Sequence, residues 1–353
     1  MARPLALVLH APAATDAPPL TALLAAGRGL LAARHAGLLA DAGARVRIGA
    51  PVAGRPLGAL LAELLAEEAP DAGLVLLPAG AVPLLRPADA ALLVTAAASG
   101  APVVRTNNRW SSDVLALGDR RLLGAIGEVR VDNALPRLLA AAGAQVTELP
   151  GRARLALDLD TPLDLALLAT VRGCPPELRA LAAGAGVAVP RRAALRAIAR
   201  DPAAELLVAG RTGSATLRHL ERGTACRVRF LAEERGLRAA AGARGTGGGA
   251  PRPPRSTLGR LLAVHGPDAF GAILAELADG AIVDTRVLLA DRLGADEAAW
   301  PTAEDRFAAD LLRPDAVADP WLRALTAAAA SAPIPVQPGS HTLVGPGIRP
   351  LLA

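Results

Sequence analysis

The chain has 353 residues, 52% hydrophobic and 20% charged, which is ample for two packed domains and excludes a disordered chain. It contains no lysine and no tyrosine, so all 38 basic residues are arginine, and a Walker A loop, Schiff-base chemistry and a lysine clamp on phosphate are excluded. A net charge of +5 and a pI near 10.8 do not call for nucleic acid: without lysine or tyrosine to titrate, a small arginine excess lifts the pI, and the chain has no dense basic run or aromatic platform.

Strand-like and helix-like segments alternate through the first half. Leu5 to Leu9 is an apolar run that reads as a first strand rather than a signal peptide. Leu20 to Ala42 carries leucines at helical spacing and stops at Gly43. Further strands are expected at Val46–Ile48, 73–77, Val103–Arg105, Val114–Leu117, Val146–Leu149 and Leu155–Leu159. Helices are expected at 57–68, 88–98, 133–142 and from Pro162 onward. This order predicts an α/β fold with a mostly parallel sheet covered on both faces.

Prolines and glycines from Pro175 to Pro190 suggest a boundary near residue 190, giving domains 1–190 and 191–353, the second a smaller α/β or α+β domain. Helical patterns follow at 194–199, 214–222, 258–264, 269–277, 302–312 and 320–330. Cys226, Val228 and Phe230 alternate with Arg227 and Arg229, the pattern of a half-buried strand. Residues 241–255 are rich in glycine and proline and read as an exposed insert. Two cysteines far apart in sequence, and no apolar run near the roughly 20 residues of a membrane span, suit a soluble, cytoplasmic protein with no membrane partner.

Chemistry concentrates in three places. In Leu155-Ala156-Leu157-Asp158-Leu159-Asp160-Thr161-Pro162-Leu163-Asp164, strand periodicity puts both Asp158 and Asp160 opposite the leucines. Thr161 then serves as N-cap, Pro162 as first helical residue and Asp164 as the acid of a capping box; a solvated strand exit explains the same residues. Arg105-Thr106-Asn107-Asn108-Arg109-Trp110-Ser111-Ser112-Asp113 holds two of the chain's three asparagines. Amides can read a base edge, arginines can pair with phosphate and Trp110 can stack, while an Asn/Ser turn capped by Asp113 is the plainer account. In the second half Arg211-Thr212-Gly213-Ser214 could open an anion-binding helix, and seven arginines lie between Arg211 and Arg238. They read either as an anion-binding or subunit-contact surface or as a solvated face paired with Glu221, Glu233 and Glu234. Asp284-Thr285-Arg286 and Asp305-Arg306-Phe307 read as helix-surface charges, and 339–347 as a glycine-flanked strand carrying His341.

Asp-Leu-Asp-Thr-Pro-Leu-Asp-Leu resembles the Asp-x-Asp-Thr-Pro-x-Asp-Leu signature of the nucleotidyltransferase family to which molybdenum-cofactor and 2-phospho-L-lactate guanylyltransferases belong. Leu30 to Ala44, Leu74 to Leu85 and Asn133 to Pro150 are similar to that family's segments in the same order, so the resemblance covers about residues 1–175. It implies a three-layer sheet of the nucleotide-diphospho-sugar transferase kind. It also implies magnesium held by Asp160 and nucleotidyl transfer from an NTP to a small phosphate- or carboxylate-bearing acceptor.

Two departures qualify this. The phosphate loop is replaced by His10 to Pro19, without glycine, arginine or lysine, and Ala81 stands where the family has a metal-binding aspartate. Asp113 is the expected substitute ligand. Asn107, Asn108, Arg105, Arg109, Ser111, Thr161 and Arg211 are the expected contacts to a nucleotide or other phosphorylated small molecule. The alternative function is a non-catalytic nucleotide- or phosphoester-binding regulatory protein on the same fold.

Overall fold

The computed structural model describes residues 3–50, 56–66, 72–125, 132–237 and 253–353. The expected insert at 241–255 lies, apart from residues 253–255, outside them. The chain forms two compact units, Met1–Thr15 with Ala25–Leu159, and Asp16–Leu24 with Asp160–Ala353. The division therefore falls at Leu159/Asp160 rather than near residue 190, and the second unit is the larger. The reason lies in the helix after the Asp-Thr-Pro segment: its Leu163 lies against Gly339 of the second unit's sheet, where an added Cβ would meet it at 3.1 Å.

The first unit holds a mixed six-stranded sheet in the order β2-β1-β3-β5-β4-β6. Its strands are β1 (Leu5–Leu9), β2 (Arg45–Gly49), β3 (Leu74–Pro78), β4 (Val103–Thr106), β5 (Leu115–Leu117) and β6 (Gln145–Glu148). β1 runs parallel to β2 and β3, and β4 parallel to β6, while β5 is antiparallel to both of its neighbours. Strand alternation builds three layers. Ala6, Val8, Val75 and Leu77 join α1 (Pro19–Asp41) and α3 (Pro87–Ala97) in one core cluster; Leu5, Leu7, Leu74 and Leu76 join α2 (Leu57–Leu64) and α4 (Leu135–Ala141) in another. α1 ends as its sequence indicates, with Gly43 at φ +101°.

Leu155–Leu159 is not a strand of this sheet. Its leucines are buried and Ala156 and Asp158 half-buried, so the alternation survives, but Asp158 makes only an isolated bridge to Ala81. Side chains do the work of a ladder: Asn107 Nδ2 donates to the Leu155 carbonyl at 2.8 Å and Arg28 Nε to that of Leu159 at 2.9 Å.

The second unit carries a fully parallel sheet, β10-β9-β7-β8, made of β7 (Glu205–Gly210), β8 (Arg227–Ala232), β9 (Gly280–Asp284) and β10 (Val336–Gly339). β8 has the expected open face, where Arg227 and Arg229 pair with Glu205 at 3.5 and 3.1 Å. The residues expected as a strand at 339–347 only begin in β10; His341–Val344 is a helical turn capped by Ser340. Among the described residues no helix is long and apolar enough to cross a membrane.

Candidate functional site

The carboxyl edge of the parallel sheet gathers several buried charged groups of the second unit. From β7 the chain crosses to β8 on one side and later to β9 on the other, so the ends of β7 and β9 flank a topological switch point, the usual ligand crevice of a wound α/β sheet. The two strand ends approach closely. Gly210 has φ +124°, and a Cβ there would lie 2.3 Å from the Asp284 Cβ, so only glycine fits.

That closeness lets Arg211 clamp Asp284. Its Nε and Nη2 donate to the two carboxylate oxygens at 2.6 and 3.1 Å, and Asp284 also accepts the backbone N–H of Arg211 and of Arg286. Arg286 forks onto Asp310, with one bond of 2.7 Å, and reaches Thr285 Oγ1 at 3.0 Å. These groups are buried, not the surface charges that their helical positions suggested, and Asp305 and Phe307 are buried too. Burial alone would raise both carboxyls. Arg211 overrides it and holds Asp284 below the usual range, whereas burial still leaves Asp310 raised against the pull of Arg286. Arg211 is thus engaged within the fold.

The Asp-Thr-Pro segment enters beside this lattice as a helix start. Thr161 caps α5 (Pro162–Ala169): its Oγ1 accepts the Asp164 N–H at 3.2 Å, and Asp164 Oδ2 accepts the N–H groups of Thr161 and Asp160 at 2.8 and 3.1 Å. This is the expected capping box. Burial, reinforced by the charge of Asp160, pushes the Asp164 carboxyl up to about 8. The Asp160 carboxylate itself turns to His341, with Oδ2 3.9 Å from Nε2 and both side chains about one-third exposed. His341 was expected on a strand; it lies on the turn after β10, which brings an imidazole to the same sheet edge.

Around the expected nucleotide loop in the first unit, Asn107 is wholly buried. Its Nδ2 donates to Asp113 Oδ2 at 2.7 Å and to Leu155 O, while Oδ1 accepts the N–H of Asp113 and Val114 at 3.0 and 3.3 Å. Both amide donors and both acceptor positions are used, so no amide atom is left for a base edge. Asn108 Oδ1 accepts the Trp110 N–H at 3.0 Å and an Arg152 N–H at 3.3 Å. Arg109 and Ser111 are exposed, the Arg109 guanidinium lies 5.6 Å from the Trp110 ring centroid, and Arg105 is half-buried on β4.

The helix start that follows residues 10–19 is also filled from within. In the second unit, Glu304 accepts the backbone N–H of Leu20 and Thr21, each at 2.9 Å, and the Thr21 hydroxyl at 3.0 Å. A carboxylate thus occupies donors that a phosphate would otherwise compete for. Sequence reasoning passed over Glu304 and Asp310, read Asp284 and Arg286 as surface charges, and placed His341 on a strand. The one signal it offered was a charge directly after the apolar runs of β7 and β9. No family model, curated protein or solved structure matches this chain.

Proposed function

We propose that the protein binds a phosphorylated small molecule through a divalent cation at Asp160 and His341, and that it holds this ligand rather than transferring a nucleotidyl group from it. A nucleotide is the ligand class that the family resemblance implies. The reading is carried by the meeting of Asp160 and His341, whose ligand atoms lie 3.9 Å apart at the carboxyl edge of the parallel sheet. That is about half an ångström beyond what two ligands, each about 2.1 Å from one tetrahedral cation, subtend, and about 0.9 Å beyond two cis ligands of an octahedral one, within reach of a side-chain adjustment. One imidazole and one carboxylate suit manganese, iron or zinc better than magnesium, which prefers oxygen.

Three features weigh against transfer. Glu304 fills the helix start after the altered phosphate loop. The Asn107 amide is spent within the fold. Ala81 stands in place of an aspartate. The test is manganese binding followed by paramagnetic resonance: one site is expected in the native chain, and none in Asp160→Asn or His341→Gln. Retention of that site in both variants would end the reading. Pyrophosphate release from any of the four NTPs, abolished by Asp160→Asn, would replace it with the transferase.

A further inference from the structure

A half-open cavity of about 240 Å³ in the second unit is lined by Ala215, Arg218, His219, Arg222 and Arg349. Four of the five can carry positive charge and none is acidic. Helix geometry assembles it. Residues 215, 218, 219 and 222 recur at i, i+3, i+4 and i+7 along α6 (Ser214–Gly223) and so form one stripe. Arg349 comes from the short terminal helix Ile348–Leu352. The chain just before that helix is pinned to the start of α6, where Thr212 Oγ1 donates to Val344 O at 2.7 Å and Thr216 Oγ1 to Gly345 O at 3.4 Å.

Nothing in the fold requires this cluster. Arg218 and Arg222 place like charges four residues apart, which weakens a helix. Among the described residues no carboxylate pairs with Arg218, Arg222 or Arg349, although other surface arginines are matched: Arg229 to Glu205 and Arg260 to Asp291. Of the three acids expected to neutralise this face, Glu233 and Glu234 are committed elsewhere, and among the described residues Glu221, on the same helix, pairs with none of the three arginines. Glu233 accepts from Ser256 and Thr257, and Glu234 from Arg255. Burial and then the charge of Arg349 hold His219 below the ordinary imidazole range, as in a site short of negative charge.

We propose that this cavity binds the phosphate or pyrophosphate group of a small phosphorylated ligand, held by the guanidinium groups of Arg218, Arg222 and Arg349 without a metal. A planar guanidinium meets two phosphate oxygens at once, and three of them surround a small polyanion better than a single carboxylate. The cavity is smaller than the roughly 300–1,000 Å³ pockets that enclose a drug-sized ligand, so the charged head enters and the rest of the ligand stays outside. With Ala215 as its one apolar lining residue and no phenyl or indole ring, it selects charge rather than a base. It shares no residue with Asp160 and His341 and does not depend on a cation there.

The test is calorimetric titration of the full chain with inorganic pyrophosphate in EDTA, repeated with inorganic phosphate and with a nucleoside triphosphate. Pyrophosphate should bind, more weakly as salt rises. Arg222→Gln and Arg349→Gln should each weaken it at least tenfold, and Arg218→Gln with Arg222→Gln should abolish it. Arg229→Gln and Asp160→Asn should leave it unchanged, so failure of the metal reading does not touch this one. Equal binding in the native chain and in the Arg218/Arg222 double variant would overturn the proposal, as would an equal loss in Arg229→Gln. Binding of the nucleoside triphosphate with none of pyrophosphate or phosphate would also overturn it, by locating recognition in the base.

Discussion

Glu304 closes on Thr21 twice, its Oε2 accepting both the backbone N–H at 2.9 Å and the side-chain hydroxyl at 3.0 Å, while Oε1 takes the N–H of Leu20. A carboxylate distant in sequence therefore caps the first turn of α1. Glu304→Ala should cost about 1–2 kcal/mol in urea unfolding, the range of a lost cap with its charge. Sulfate should then stabilise the variant more than the native chain, because free N–H donors attract an anion. An unchanged unfolding midpoint would refute the assignment.

His35 is buried on α1, and burial above all, with the charge of Arg34 adding to it, holds its imidazole down at about 4. The folded value lies below the ordinary 6.5, so the unfolded chain binds the proton more readily. The contribution to stability is complete above pH 6.5 and lost as the pH falls from 6.5 toward 4. About 2 kcal/mol should disappear between pH 7.5 and 5. His35→Leu should lack that part of the slope; an identical slope in the variant would show that other groups produce it.

Arg286 and Asp310 are buried and bidentate, so removing one partner strands a charge. Asp310→Ala should destabilise by about 3–5 kcal/mol, whereas replacing both residues with leucine should cost much less than the sum of the single changes. Additive losses in a denaturant double-mutant cycle would mean that the two groups are not coupled.

Two glycines should respond in opposite directions. Gly210→Ala drives a Cβ into Asp284 at a positive φ and should lower the thermal midpoint sharply. Gly37, inside α1, has nothing within 4 Å of an added Cβ, and Gly37→Ala should stabilise by about 0.5–1 kcal/mol. A rise for Gly210→Ala would contradict the close approach of β7 and β9.

What the sequence disclosed was local. Thr161, Pro162 and Asp164 announce a helix start because a capping box is written within four residues. The apolar runs of β1 and β3 are strands because both of their faces are covered. Leu155–Leu159 carries a strand's buried/half-buried alternation, but a ladder needs a neighbouring strand, and period alone does not provide one. The buried lattice was hidden for the same kind of reason. Asp284 answers Arg211 from 73 residues away and Asp310 answers Arg286 from 24, so each charge taken alone looks like an ordinary solvated helix end. His341 was misplaced because its glycine-flanked surroundings fit a strand as well as the tight turn they form.

The crevice at the switch point of the parallel sheet already has a guest. Arg211 presents a guanidinium to Asp284 there much as a bound substrate would meet a receptor, and Gly210 supplies the clearance. Evict the carboxylate, as in Asp284→Ala, and a fixed guanidinium is left facing a vacated notch about the size of a small carboxylic acid. Formate or acetate should then restore part of the lost stability in a dose-dependent way, while the native chain remains indifferent to either. One substitution would thus convert a self-contained fold into one that answers to a small molecule in solution.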